Sequence, residues 1–146
     1  MAEKDFWRDL EKEFRLPGKI QRNEVKSRAG FPDVLGCILG KFIVLELKEV
    51  KGSYNTHKHK SFPYGLTGPQ AVQLKKWSCA EGIAYLAVRF TDDNMVYMFE
   101  GQRLINFVSM KDLVKKDLVK KHQAPLPLPD YILPVDKVWP VLYSIR

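Results

Sequence analysis

Three charged residues stand at positions where a buried strand is expected to be apolar. Asp33 follows Pro32 at the start of one apolar segment, and Glu46 and Lys48 interrupt the next one. Because successive side chains of a strand point to opposite faces, Glu46 and Lys48 are expected on the same face. A hairpin between the two segments would bring Asp33 towards this pair. The spacing therefore predicts two carboxylates and one ammonium group together at the edge of a sheet.

This combination of groups suits a divalent cation and a phosphate. Charged groups are costly to bury unless they pair with one another or bind a metal. Mg²⁺ is usually held by one or two carboxylates together with water and substrate phosphate, and it can polarise a phosphodiester and activate water. A lysine at the same place can stabilise charge on the phosphoryl oxygens or hold the attacking water. The alternative for Glu46 and Lys48 is a structural ion pair at the end of a strand.

Two further polar residues occupy the apolar faces of predicted helices. Glu3 lies at the centre of such a face, three residues before Phe6 and seven before Leu10. It is either a second carboxylate near the metal site or a favourable charge at a helix N-terminus. Gln70 shares the inner face of the next predicted helix with Leu74. It could orient the attacking water or a phosphate, and the alternative is a boundary glutamine bonded to backbone.

The elements that must position these residues follow from hydrophobic periodicity and turn signals. Strands are predicted at residues 19–25, 32–39, 41–49, 83–90 and 95–100, and helices at residues 4–15, 67–80 and 111–122. The tight link Gly40-Lys41 indicates a hairpin between the second and third strands, and residues 50–66 are predicted to form a loop. Thr67 is a fair N-cap for the second helix, and Pro69 is tolerated in its first turn.

The C-terminal segment, residues 124–146, differs in composition from the rest of the chain. It carries five of the nine prolines together with many large apolar side chains. The prolines predict an extended rather than a helical segment. So apolar a segment is expected to pack on the core or on a second subunit. We therefore divide the chain into a domain at residues 1–123 and an extension at residues 124–146.

Several of these motifs also occur in a known group of enzymes. The motifs Gly30-Phe-Pro-Asp-Val, Glu46-Leu-Lys and Leu66-Thr-Gly-Pro-Gln resemble the PD-(D/E)xK nuclease superfamily and its virus-type replication-repair nucleases. Segments 40–49, 61–63, 82–90 and 95–99 are similar to the RecU group of Holliday junction resolvases, and archaeal Hjc resolvases share the arrangement. The resemblance covers about residues 1–108. It implies an α/β restriction-endonuclease-like fold, in which a mixed central β-sheet is flanked by helices.

The resemblance also assigns roles to particular residues. The implied catalytic set is Asp33, Glu46, Lys48, Glu3 and Gln70. Asp33 and Glu46 would hold Mg²⁺, for which Mn²⁺ could substitute, and the Leu47 carbonyl would complete the ligand set. Lys48 would act on the phosphate or the water. Glu3 would lie near the site, and Gln70 would be an accessory residue.

The activity implied by the resemblance is metal-dependent hydrolysis of DNA. The most specific form is a Holliday junction resolvase that works as a homodimer and makes paired symmetric nicks, because one chain supplies one site. One alternative is a repair or phage nuclease that cuts flaps, nicks or ends. Another is a non-catalytic nucleic-acid-binding module with the same fold.

Basic residues around the predicted site favour DNA as the partner. The chain has a formal charge of +7 and a pI near 9.4, which suits a polyanion. The residues expected to contact DNA are Arg28, Lys51, His57, Lys58, His59 and Lys60. Tyr54, Phe62 and Tyr64 lie among them and could stack on unpaired bases. The alternative is a flexible solvated loop, although DNA could order such a loop.

Other classes of protein are excluded on simple grounds. A length of 146 residues suits a single domain. The longest apolar run, residues 42–45, is far too short to span a bilayer, and no apolar signal segment follows the charged N-terminus. Two cysteines cannot form a disulfide framework. We therefore expect no membrane partner and a cytoplasmic protein of a bacterial, archaeal or phage-infected cell.

Overall fold

A six-stranded mixed β-sheet forms the centre of the protein in a computed structural model, which describes residues 2–23, 32–57, 64–80, 82–104 and 128–145. The strands lie in chain order, and only β3 and β4 are parallel. The strands are β1 (Gly18–Arg22), β2 (Val34–Ile38), β3 (Lys41–Val50), β4 (Ile83–Phe90), β5 (Met95–Glu100) and β6 (Tyr131–Leu133). The helices are α1 (Ala2–Lys12), α2 (Tyr54–His57), α3 (Gly68–Cys79) and α4 (Val138–Ser144). The expectation of a mixed central sheet flanked by helices is confirmed.

The predicted hairpin between β2 and β3 is also confirmed. The two strands pair antiparallel from Val34 opposite Leu45 to Ile38 opposite Lys41. The turn between them uses Leu39 and Gly40, whose φ angles are +49° and +83°. Two positive φ angles are typical of the mirror-image turns that match the twist of a hairpin. The pairing ends at Val34, whereas β3 continues beside β4 to Val50.

The helices cover the two faces of the sheet, and strand alternation decides which residues each face receives. On one face Phe6 and Leu10 of α1 pack with Leu45 and Leu47. On the other face, helix α3 contributes Ala71 and Leu74 to a cluster with Val44, Leu86, Val88 and Phe90. Because Glu46 alternates with Leu45 and Leu47, it belongs to the face covered by α3. This helix is also the crossover that makes β3 and β4 parallel.

The prediction that the C-terminal segment is extended rather than helical is wrong for residues 135–144. The segment forms β6, which pairs with β5, then a single 3₁₀ turn at Val135–Lys137, and then α4. Helix α4 tolerates Pro140 because this residue is third in the helix, where a backbone N–H has no intrahelical partner. Trp139 is fully buried with Phe6 and Leu10, and its indole Nε1 donates to the Leu10 carbonyl at 2.7 Å.

Some predicted boundaries differ from the observed ones. Strands β4 and β5 have the predicted bounds, whereas α1 ends at Lys12 and β1 ends at Arg22. The predicted loop at residues 50–66 was wrong in part, because it contains the short helix α2. Residues 101–104 are helical and were not predicted to be so, and the predicted helix at residues 111–122 lies outside the described residues. Among the described helices, none is both long and apolar enough to cross a bilayer.

Candidate active site

The place where β2 leaves β3 brings the first predicted carboxylate to its position. Asp33 immediately precedes Val34, which is the first residue of β2 and the point where its pairing with β3 ends. Asp33 is only 7% exposed. Its Oδ2 accepts a hydrogen bond from the Leu47 backbone N–H at 2.9 Å. The Asp33 carboxylate therefore accepts the hydrogen bond from the Leu47 N–H that a backbone carbonyl would have accepted if β2 had continued beside β3. This contact fixes Asp33 beside the residue that follows Glu46.

Glu46 and Lys48 project from β3 on the same face, as strand alternation predicts. Glu46 is 1% exposed, and the Lys48 side chain is 14% exposed. Lys48 Nζ lies 3.6 Å from Glu46 Oε2. Gln70 Nε2 donates to the same oxygen at 3.1 Å. The buried carboxylate is thus compensated by one cation and one neutral donor, as the burial of a charge requires.

Gln70 reaches Glu46 because it lies in the first turn of α3. Thr67 is the N-cap of this helix, in an extended conformation, and its hydroxyl accepts from the Gln70 N–H at 3.3 Å. Gln70 Oε1 accepts in turn from the Thr67 N–H at 3.0 Å, which completes a capping box. The start of the helix therefore sets the position of the Gln70 amide relative to the strand.

The donor atoms gathered here fit a hard divalent cation. The residues described contain no cluster of three or more His, Cys, Asp and Glu side chains, so Asp33 and Glu46 are the protein carboxylates at hand. Two carboxylates are sufficient for Mg²⁺, which takes its other ligands from backbone carbonyls, water and phosphate. In a strand the N–H and C=O of one residue point to the same side. Because the Leu47 N–H points to Asp33, the Leu47 carbonyl faces this side too.

Glu3 comes from a different element of the fold. It belongs to α1, whose residues Phe6 and Leu10 pack on the face of the sheet opposite to Gln70. The side chain of Glu3 lies outside the described residues. Its place near the site stays a prediction.

Most of the expected DNA contacts also lie outside the described part of the chain. Lys51 is exposed just after β3. His57 is the last residue of α2, and only the backbone of His57 is described. The residues outside the description are Arg28, Lys58, His59 and Lys60. Two backbone contacts join this region to the turn after β4: Gly52 N–H donates to Thr91 Oγ1, and Asp92 N–H donates to the Gly52 carbonyl, each at 3.0 Å.

Two of the aromatic residues expected to stack on bases have a structural role instead. Tyr64 is buried against Phe90 and Phe99. Tyr54 stacks one face of its ring on Tyr97, with 4.5 Å between ring centroids. The base-stacking interpretation is therefore wrong for Tyr64, and Tyr54 uses one ring face in packing. The reason is that large apolar rings in a loop beside a sheet edge gain more by covering the sheet.

Sequence reasoning missed two polar features that the fold builds. The capping role of Thr67 towards Gln70 has the signature Thr-x-x-Gln, which could have revealed it. The second feature is Arg89, buried on the α1 face, which binds Asp9 at 2.5 Å and Glu49 at 2.7 Å. Its signal was an arginine within an apolar strand. This network ties α1 to β3 and β4, the two central strands of the sheet.

The sequence of this chain is similar to those of a known protein family. The family model described as "RecU: Recombination protein U" matches residues 15–125. The chain is 28% identical over 122 residues to the Holliday junction resolvase RecU of Bacillus cytotoxicus, covering 73% of this chain and 56% of the relative. It is 27% identical over 128 residues to the protein of the same name from Oceanobacillus iheyensis, covering 77% and 60%. The chain thus spans less than two thirds of the length of these curated relatives.

A solved structure is also similar to this chain over part of its length. The Hjc Holliday junction resolvase of Archaeoglobus fulgidus matches with a TM-score of 0.46 and 17% identity, over 70% of this chain and 75% of that one. The family itself follows from the sequence match, which takes in β1–β5 and the residues from Asp33 to Gln70. Because this match covers well over half of the chain, the protein belongs to the RecU (recombination protein U) family.

Proposed function

We propose that this chain is a Mg²⁺-dependent DNA endonuclease that resolves Holliday junctions by paired nicks. The observation that carries the proposal is that Asp33 accepts from the N–H of Leu47, the residue between the ion-paired Glu46 and Lys48, in a chain of the RecU family. Both relatives described above are named Holliday junction resolvases. The restriction-endonuclease-like fold and a cytoplasmic location belong to the same proposal.

In this proposal each residue of the site has a distinct task. Asp33, Glu46 and the Leu47 carbonyl hold Mg²⁺, which would polarise a phosphoryl oxygen and acidify the attacking water. Asp33 is kept in place by the Leu47 N–H, and Glu46 by Gln70. Lys48 lies at the rim of the carboxylate pair, where its ammonium can neutralise charge on the phosphate during the reaction.

DNA contacts outside the immediate site follow from charge. Lys51 is exposed three residues beyond Lys48, on the chain that leaves β3. Glu3 is proposed as an additional carboxylate near the metal. The further DNA contacts proposed are Arg28, His57, Lys58, His59 and Lys60. Cations at these positions would bind phosphates without reading sequence. Junction recognition would then rest on the shape of the branched DNA.

A second candidate function is cleavage of flaps, nicks or ends. The observation that leaves it open is that the match covers 56–60% of the two relatives, so the similarity does not extend over the whole of either resolvase. The metal site would be the same in both cases, so the two candidates differ only in the branched DNA that is cut.

The test is a cleavage assay on a labelled immobile four-way junction beside a flap, a nicked duplex and a plain duplex. We expect symmetric nicks in the junction with Mg²⁺ and none with EDTA. Asp33→Asn and Glu46→Gln should abolish cleavage and leave junction binding in EDTA equal or tighter, because each removes negative charge. Asp136→Asn, an exposed change on the 3₁₀ turn, is the control and should cleave normally.

The possible outcomes separate the candidates. Cleavage of flaps or ends in preference to junctions would support the second candidate and retain the metal site. Wild-type cleavage by Asp33→Asn or Glu46→Gln would refute the assignment of the metal ligands. Binding without cleavage in Mg²⁺ or Mn²⁺ would refute the enzyme and leave a nucleic-acid-binding module.

A further inference from the structure

The side-chain amide of Gln70 contacts two groups with opposite demands. Its Oε1 accepts from the backbone N–H of Thr67 at 3.0 Å, and its Nε2 donates to Glu46 Oε2 at 3.1 Å. The first partner can only donate a hydrogen bond, and the carboxylate can only accept one while it is ionised. One amide thus joins the N-terminus of α3 to the carboxylate on β3.

These two contacts determine which way the amide points. If the oxygen and nitrogen were exchanged, the NH₂ group would face the Thr67 N–H and the oxygen would face the Glu46 carboxylate. Both contacts would then be repulsive. The orientation of the amide therefore follows from the chemistry of its two partners. If one contact is lost, the amide is held in this orientation by the other contact alone.

We propose that Thr67 is a positioning residue for the site: as N-cap of α3 it holds the Gln70 amide as a donor to Glu46. The proposal rests on the proposed function for its meaning in cleavage. Thr67 makes two contacts with Gln70, through its N–H to Oε1 and through its hydroxyl, which accepts from the Gln70 N–H. Glu46 Oε2 is thereby held between Gln70 and Lys48.

The choice of glutamine at this position supports the proposal. Either glutamate or glutamine completes a capping box, because both accept the N–H of the N-cap residue. Only glutamine also carries a donor at the other end. A glutamate in place of Gln70 would cap the helix equally well and would place a second carboxylate against Glu46.

The first test observes the side-chain amide of Gln70 directly and does not depend on catalytic activity. In NMR spectra of the metal-free protein, the side-chain NH₂ signals of Gln70 should be shifted and protected from exchange by the bond to Glu46. Thr67→Val keeps the backbone N–H and nearly the same volume, but it removes the hydroxyl that accepts from the Gln70 backbone N–H and so fixes the start of the helix. The Gln70 amide should then be held less well, and its signals should move towards those of a solvated amide. Thr67→Ser restores the hydroxyl and should restore the wild-type signals. Gln70 signals that are identical in Thr67→Val and the wild type would overturn the proposal.

The second test separates positioning from simple helix stability. Thr67→Val should lower junction cleavage at limiting Mg²⁺ by about three- to tenfold, because about 1 kcal/mol, the typical stabilisation by an N-cap, corresponds to about fivefold and would be lost from the ordered position of Gln70. In a Gln70→Leu background the same change should have no further effect on cleavage, because the group through which Thr67 acts is gone. Equal loss of cleavage in both backgrounds would contradict the proposal. If the wild type cuts no DNA, the proposed function fails, and the NMR result still decides the role of Thr67.

Discussion

Each buried carboxylate of the site is compensated by a different kind of partner. Asp33 accepts from a backbone N–H, a dipole that is fixed by the strand. Glu46 depends on two side chains, Gln70 and Lys48, that come from separate elements. Removing one partner of a buried charge leaves that charge uncompensated, which costs more than the pair contributed. The position of Glu46 is therefore the more sensitive one to substitution around it.

Lys48→Met tests this dependence at a single residue. It keeps the apolar stem and removes the ammonium, so we expect the free energy of unfolding to fall by about 1–3 kcal/mol. Cleavage should be lost as well. Equilibrium urea denaturation measures the first effect, and Lys75→Met, an exposed lysine on α3, should change stability by less than about 0.5 kcal/mol. Equal stability of Lys48→Met and the wild type would show that the 3.6 Å pair does not stabilise the fold.

Tyr97 contributes to the dependence of stability on alkaline pH. Burial raises its pKa to about 12, and the hydrogen bond that its hydroxyl donates to Asp93 Oδ2 at 2.9 Å contributes in the same direction. The folded state thus keeps a proton that the unfolded chain loses near pH 10. This contribution to stability is complete below pH 10 and is lost as the pH rises towards about 12.

We therefore expect Tyr97→Phe to flatten the decline of unfolding free energy between about pH 9 and pH 11. Urea denaturation at several pH values in that interval measures the slope. Tyr131→Phe, in the short strand β6, serves as a comparison. If Tyr97→Phe and the wild type decline equally steeply, the buried hydroxyl has no part in alkaline unfolding.

At the scale of elements, α4 stabilises α1 and so one whole face of the sheet. Trp139 fills the space between the two helices, donates to the Leu10 carbonyl and meets Phe14 edge-on at 5.4 Å. Lys41 adds a second attachment, because its Nζ donates to the carbonyls of Tyr143 and Ile145. The last helix is thus held at both ends by elements from the first third of the chain.

Trp139→Ala should lower the free energy of unfolding by about 3–5 kcal/mol, the usual cost of deleting a buried aromatic side chain. Trp139→Phe should cost less, about 1–3 kcal/mol, since most of the ring volume remains and the indole donor is lost. Urea denaturation measures both. Ile132→Thr, at a half-exposed position on β6, is the control. Destabilisation of Trp139→Ala no greater than that of the control would contradict the docking of α4.

The elements that sequence predicts well are those whose signal is local. The alternation of apolar residues and the turn residues are sufficient to predict the β2–β3 hairpin and to single out Asp33, Glu46 and Lys48. Helix α4 was missed because counting prolines ignores their position, and Pro140 sits in a first turn that tolerates it. The contact between Gln70 and Glu46 spans 24 residues and depends on how α3 crosses over the sheet. No local pattern contains that information.

At the scale of the whole molecule, one chain brings together one set of Asp33, Glu46 and Lys48. A four-way junction has two strands to be cut at symmetric positions, and a homodimer would present two sites about a two-fold axis. In the proposed resolvase, a complete reaction therefore needs two active chains on one junction. The formal charge of +7 on each chain favours continued binding of the junction after the first cut and before the second.

Mixed dimers of wild-type and Glu46→Gln chains test this arrangement. On a supercoiled plasmid with an extruded cruciform, two cuts within one complex yield linear DNA, whereas one cut releases the supercoiling and the cruciform is reabsorbed. We expect differently tagged, co-purified mixed dimers to give nicked circles, and wild-type dimers to give linear product. Glu46→Gln dimers should give neither. Linear product from mixed dimers at the wild-type proportion would mean that one site makes both cuts, and sedimentation as a monomer would rule out the dimer itself.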